Sequence, residues 1–146
     1  MDDIDAAEIL LVEDSEDDAE MTMRALKKHN FGNKLTWVKD GAEALEFLFC
    51  TGAYARRKTG NPKLVLLDVK MPKMDGIEVL KYLKADDKTK SIPVVILTSS
   101  AECSDVTESY KLGVNSYLVK PVDFDAFINV VAQVGLYWTV TNKAPF

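Results

Sequence analysis

Apolar residues gather along the chain in four short stretches, each of which runs into a polar or charged group. Glu8-Ile9-Leu10-Leu11-Val12 leads into Glu13-Asp14, and Leu64-Val65-Leu66-Leu67 ends at Asp68. Ile92-Pro93-Val94-Val95-Ile96-Leu97 leads into Thr98-Ser99-Ser100, and Asn115-Ser116-Tyr117-Leu118-Val119 into Lys120-Pro121. Continuous apolar runs of this length suit strands buried on both faces, the pattern of a parallel sheet. A fifth stretch, Lys34-Leu35-Thr36-Trp37-Val38, alternates apolar and polar residues and predicts a half-buried strand.

Between these stretches the apolar spacing becomes helical. Ser15-Glu16-Asp17-Asp18 opens a first helix with Ser15 as cap; Ala19, Met23 and Leu26 face inward and Gly32 ends it. Asp40-Gly41-Ala42-Glu43 starts a second, with Ala44, Leu45, Leu48 and Phe49 as its inward stripe. Residues 51–63 are polar and glycine-bearing and predict a longer loop. Ile77, Leu80 and Leu83 mark a third helix after Asp75-Gly76, and the polar stretch Ala85 to Ser91 links it to the next strand. Ser104-Asp105 opens a fourth with Val106 and Tyr110, closed by Gly113; Asp123 caps a fifth carrying Phe124, Phe127, Ile128, Val131 and Val134. Five strands alternating with five helices predict an α/β fold, a parallel sheet wound on both faces.

Open parallel sheets bind their ligands outside the carboxyl ends of the strands. On this fold Glu13, Asp14, Asp68, Thr98 and Lys120 converge on that rim, followed by the loop formers Met71-Pro72 and Asp75-Gly76. Three carboxylates at one point repel unless a cation binds between them, and hard oxygen donors suit Mg²⁺. A Lys120 ammonium there holds an anion against the metal, and the Thr98 hydroxyl adds a hydrogen bond. Metal, ammonium and hydroxyl around a carboxylate make a site for phosphoryl transfer, with Asp68, central among the strands, as acceptor. Plainer readings stay open beside it: Glu13-Asp14 as a helix cap, Asp68 as a loop acid, Thr98 as a strand end.

Composition narrows the field. The chain has 146 residues, 47% hydrophobic and 28% charged, which predicts one soluble domain with its own core. A net charge of −5 argues against general nucleic-acid binding, and Arg56-Arg57-Lys58 reads as a solvated loop. No apolar run approaches a membrane span, and the acidic Met1-Asp2-Asp3-Ile4-Asp5 has no signal-peptide core. Cys50 and Cys103 have no metal or redox spacing and read as thiols of a reducing cytoplasm. The only histidine, His29, falls in a helix, so no Ser-His pairing supports acyl chemistry. Residues 1–7 form an acidic leader, 8–135 the domain, and 136–146 an apolar extension, with Tyr137, Trp138 and Phe146, that packs on the domain or on a twin subunit.

Taken together, Glu13-Asp14, Asp68 with Met71-Pro72 and Asp75-Gly76, Thr98-Ser99 and Lys120-Pro121 resemble the receiver domains of two-component response regulators (CheY-like). The resemblance spans roughly Glu8 to Val134. The segment from Phe47-Leu48 through Tyr54, and Phe124-Asp125 with Trp138, are similar to the single-domain regulators that serve bacterial phytochrome-type kinases. The family implies a flavodoxin-like (βα)5 fold with strand order 2-1-3-4-5. It implies a phosphorelay in which Asp68 accepts phosphate from a sensor histidine kinase. Mg²⁺ is then held by Asp14, Asp68 and the carbonyl of Lys70, with Glu13 behind it through water. It further implies phosphate contacts from Lys120, Thr98 and the Ser99 backbone, a cis bond before Pro121, and a Thr98–Tyr117 switch. That switch biases the face of the fourth helix, fifth strand and fifth helix toward a partner or homodimer. Tyr117 as a plain core aromatic stays the alternative.

Rival functions of other classes are an aspartyl-phosphate hydrolase, a non-phosphorylated binding module and a nucleotide or flavin binder. The hydrolases usually carry a second carboxylate two residues after the nucleophile, where this chain has Lys70. Intact acids with Thr98 and Lys120 argue against the module, and no GxGxxG or Walker sequence cradles a nucleotide. The expected output is a surface: a second phosphotransfer protein, an effector or a second copy of the chain.

Overall fold

Three of the four continuous apolar runs become the central strands of one sheet; the fourth, 115–119, forms an edge strand and is not buried on both faces. In the computed structural model, which describes residues 9–28, 35–57, 60–71, 74–99 and 104–133, the strands are β1 (Ile9–Val12), β2 (Leu35–Val38), β3 (Leu64–Asp68), β4 (Val94–Thr98) and β5 (Ser116–Val119). Leader residues 1–7, His29, Gly32, Lys58, Pro72, Ser100, Cys103, Val134 and the extension 136–146 lie outside the described residues. The strands pair in parallel in the order β2-β1-β3-β4-β5. β1, β3 and β4 are buried throughout, whereas edge strands β2 and β5 are mostly half-buried, as alternation predicts for β2.

Five helices cover the sheet: α1 (Glu16–Lys27), α2 (Gly41–Phe49), α3 (Gly76–Ala85), α4 (Ser104–Lys111) and α5 (Phe124–Gln133). Successive strand residues point to opposite faces, so each strand feeds two cores. Leu10, Val12, Val65, Leu67 and Ile96 pack with Ala44, Leu80 and Val106 of α2, α3 and α4. Ile9, Leu11, Leu64, Leu66 and Leu97 pack with Ala19 and Leu26 of α1 and Phe127 and Val131 of α5. The helix starts follow their caps: Ser15 Oγ accepts from Asp18 N at 3.2 Å, Asp40 Oδ1 from Glu43 N at 2.7 Å, Asp75 Oδ1 from Glu78 N at 3.0 Å and Asp123 Oδ1 from Ala126 N at 2.9 Å.

The helix stripes shift from the sequence expectation in places. On α2, Phe47 is buried while Leu45 and Phe49 are half-buried. The cause is the segment that follows, expected as loop: after Cys50 (φ 55°) it forms a 3-10 turn, Gly52–Tyr54, folding back on α2. Tyr54 stacks edge-on to Phe47 with centroids 5.1 Å apart, and its hydroxyl donates to Glu43 Oε2 at 2.7 Å. The Arg57 guanidinium lies 4.1 Å from the Phe47 ring centroid, while its Nε donates to Phe47 O at 2.8 Å. Val79 and Val130 join the buried faces of α3 and α5.

One backbone approach fixes the sheet edge that carries Asp68. The start of α3 lies against the end of β3 so closely that a Cβ on Gly76 would come 2.3 Å from Asp68 O and 2.8 Å from Val69 Cα. Backbone cannot swing aside as a side-chain end can. Gly76→Ala is therefore expected to cost about 1–3 kcal/mol in urea denaturation, the scale of overpacking, whereas Gly60→Ala, with nothing within 4 Å, leaves the midpoint unchanged. Equal midpoints for the two variants would contradict this packing.

Candidate functional site

Parallel register brings the strand ends to one rim. Val12 pairs with Leu67 and Val38, Asp68 with Leu97, and Thr98 with Val119. Glu13 extends the β1–β2 ladder, its N–H donating to Val38 O at 3.1 Å. Its carbonyl accepts from Trp37 Nε1 at 2.7 Å, and its carboxylate Oε2 accepts from Ser15 N at 3.2 Å. These bonds turn the fully buried Glu13 side chain inward. Asp14, next in sequence, is exposed.

Asp68 ends β3 and is buried. Its Oδ1 accepts from Lys70 N at 3.2 Å. Lys120 follows β5; its N–H donates to Thr98 O at 2.7 Å, and the Lys120–Pro121 bond is cis. The ammonium then reaches across the rim, with Nζ 3.3 Å from Glu13 Oε1, 3.1 Å from Asp18 Oδ2 and 3.5 Å from Asp68 Oδ2. Thr98 is buried at the end of β4, Ser99 is exposed, and Lys70 has an exposed side chain. Tyr117 is half-buried on β5, its ring 6.4 Å from that of Tyr110 and nearly perpendicular.

The charges are strongly coupled. Burial, the hydrogen bond with Asp68 and the charge of Asp68 together push the Glu13 carboxyl up to about 8. Burial also raises Asp68, against the pull of Glu13 hydrogen bonding, Lys120 and the Lys70 N–H. Burial alone would lower Lys120, but Asp68, Asp18 and Glu13 hold its ammonium above the ordinary lysine value. One cation thus serves several acids, and the cluster has room for more positive charge. Ligand oxygens of Glu13, Asp14 and Asp68 lie within 4.8 Å of one another, a hard-oxygen set that fits a divalent cation.

The structure brings Glu13, Asp14, Asp68 and Lys120 together, with Thr98 and Ser99 ending the adjacent strand. Tyr117 stands apart on the outer strand, beside Tyr110. Sequence reasoning missed two contributors. Asp18 was read as part of a helix start, yet it makes the shortest ion pair to Lys120. Trp37 was read as a strand residue, yet its indole N–H holds the Glu13 carbonyl. Trp37 at the end of an alternating strand carried a weak signal; Asp18 carried none, because helical phase relative to the rim is not written in residue type.

Comparison with known proteins gives a consistent picture. The sequence model of the response regulator receiver domain matches residues 9–132. The response regulator Rcp1 of Synechocystis sp. is 39% identical over 137 residues, covering 94% of this chain and 92% of that protein. The bacteriophytochrome response regulator AtBRR superposes with a TM-score of 0.84 at 47% identity, covering 91% of this chain and 95% of that one. The Mn²⁺-bound form of Rcp1 superposes with a TM-score of 0.72 at 38% identity, covering 94% and 98%. Among the described residues, no helix is long and apolar enough to cross a membrane.

Removing an acid from this cluster has opposite consequences with and without metal. In chelator, Asp14→Asn is expected to relieve repulsion and to melt higher than wild type. With a divalent ion at ten times its Kd, wild type is expected to gain about 1.4 kcal/mol and the variant to lose most of that gain. Thermal melts in both conditions check this; a variant that melts lower in chelator contradicts the repulsion.

Proposed function

The chain belongs to the response regulator receiver domain family, and on that premise we propose that Asp68 is its phosphoacceptor, charged by the phosphohistidine of a sensor histidine kinase. A carboxylate oxygen of Asp68 attacks phosphorus, the P–N bond breaks, and the imidazole leaves with the bonding pair. The observation that carries the reading is one ammonium, Lys120, reaching Glu13 and Asp68 at the rim where Asp14 also lies. Lys120 neutralises charge on the phosphoryl oxygens, and Thr98 and the Ser99 N–H complete their hydrogen bonding. Asp14, Asp68 and the Lys70 carbonyl would hold a divalent ion such as Mg²⁺, with Glu13 as the acid next to them. The ion supplies charge neutralisation between acceptor and donor phosphate. The protein is no classical enzyme; it catalyses only its own phosphorylation and slow dephosphorylation.

The likeness to the bacteriophytochrome response regulator AtBRR supports a phytochrome-type kinase as donor, and the reading places this transfer in the cytoplasm. On phosphorylation the Thr98 hydroxyl moves toward the phosphate and Tyr117 turns inward. That motion biases the surface of α4, β5 and α5 for an effector, a second phosphotransfer protein or a homodimer. Tyr110 and Val119, 46% and 42% exposed, support this face as the contact, with residues 136–146 as an extension of the domain that joins it. Lys70, where phosphohydrolases place a second acid, disfavours turnover of free substrates.

Incubation with acetyl phosphate and Mg²⁺ is expected to add one phosphoryl group to wild type and none to Asp68→Asn. Lys120→Ala keeps metal binding but is phosphorylated about 10²-fold more slowly, the scale of one lost electrostatic donor. Intact-protein mass spectrometry reads both; phosphorylation of Asp68→Asn at the wild-type rate would sink the assignment. For the dimer, sedimentation should report a smaller mass for Tyr110→Asp/Val119→Asp and for truncation after Gly135. Unchanged mass in both discards that surface.

A further inference from the structure

The rim carries one ion pair that the phosphoacceptor reading leaves unused. Of the three acids around Lys120 Nζ, Asp18 is nearest at 3.1 Å, ahead of Glu13 at 3.3 Å and Asp68 at 3.5 Å. The contacts to Asp18 and Glu13 are hydrogen bonds, whereas Asp68 stands at ion-pair distance. An ammonium has three N–H groups. Two are therefore committed away from Asp68.

Both anchors are set by one residue. Ser15 N donates to Glu13 Oε2, and Ser15 Oγ accepts from Asp18 N. The cap of α1 thus fixes a buried acid on one side of Lys120 and a 41% exposed acid on the other. A hydrogen bond donated by an ammonium is charge-assisted and of the strong kind, so the ammonium has reason to stay where these two acceptors place it. Without Asp18, the nearest carboxylate on that side would be gone and Asp68, 3.5 Å away, would be the next acceptor within reach.

We propose that Asp18 is a positioning residue: with Glu13 it ties the Lys120 ammonium beside Asp68 rather than on it. The ammonium is then held off from a direct hydrogen bond to Asp68, and one N–H remains for the oxygens of an arriving phosphoryl group. The inference rests on the phosphoacceptor reading above. It assigns Asp18 a role in anion capture and none in metal binding, since Asp18 is outside the Glu13, Asp14 and Asp68 set.

The test uses the full chain carrying Trp138→Phe, so that Trp37, bonded to the Glu13 carbonyl, is the sole tryptophan reporter. Mg²⁺ alone is titrated first, then beryllofluoride at saturating Mg²⁺, and the acetyl phosphate rate is measured by mass. Asp18→Ala should weaken beryllofluoride binding and slow phosphorylation about tenfold each, the scale of one lost hydrogen bond to a charged group. Its Mg²⁺ affinity should match the parent. Asp18→Asn, which keeps an acceptor at the same reach, should recover most of the loss. Asp17→Ala, in the same exposed first turn, should match the parent throughout.

Beryllofluoride binding by Asp18→Ala as tight as the parent, or tighter, overturns the proposal. So does Asp18→Asn as weak as Asp18→Ala, which would make charge rather than the tether the cause. So does an equal loss in Asp17→Ala or a parallel loss of Mg²⁺ affinity. If Asp18→Ala does not fold, Asp18→Ser, too short to reach Nζ, replaces it under the same criteria. A parent protein that neither binds beryllofluoride nor gains phosphate at Asp68 defeats the phosphoacceptor reading itself, a failure visible before any Asp18 variant is measured.

Discussion

Crowding acids at the edge of a sheet is unfavourable unless cations share their charge, and this constraint organises the whole molecule. Glu13 and Asp68 are almost wholly buried, Asp14 lies within ligand distance of both, and Lys120 is the ammonium that reaches into the group. Burial, with the hydrogen bond and charge of Asp68, pushes Glu13 up to about 8. Such a site fits a divalent ion, and on the function proposed above the ion and the ammonium would together neutralise a phosphoryl group. The related Rcp1 is known in a Mn²⁺-bound form.

The fold serves this constraint through register. Parallel pairing brings Val12, Leu67 and Val38 level, and Asp68 level with Leu97, so residues just past the strands meet without any long excursion. Helix caps then aim them. Ser15 closes the loop after β1 and binds the Glu13 carboxylate, while the backbone-tight start of α3 at Gly76 presses on the Asp68 carbonyl. Stability and chemistry share these contacts, which is why a glycine with no chemistry of its own belongs to the site's support.

Much of this was legible in the sequence because it depends on local pattern. Four apolar runs ending in polar groups pointed to parallel strands, and Ser15, Asp40 and Asp123 marked three helix starts, while Asp75, legible only as a loop former, caps the third helix. The acids and Lys120 were legible because strand ends define a rim. The Asp18 contact was not, since it depends on the phase of α1 against a side chain more than a hundred residues away. Nor was the burial of Phe47 in place of Leu45 and Phe49, because a Tyr54–Arg57 clamp from the following segment decides it. Long-range side-chain partners overrule local spacing at both positions.

The central claim is that a single buried carboxylate, served by Lys120, stores the phosphoryl group. Its most direct test is to incubate the protein with a phosphorylated phytochrome-type histidine kinase and Mg²⁺, then map the modified peptide. The account predicts a hydroxylamine-labile acyl phosphate confined to the peptide containing Asp68. A hydroxylamine-stable phosphate on Thr98 or Ser99, or transfer that persists with Asp68 blocked, would contradict it.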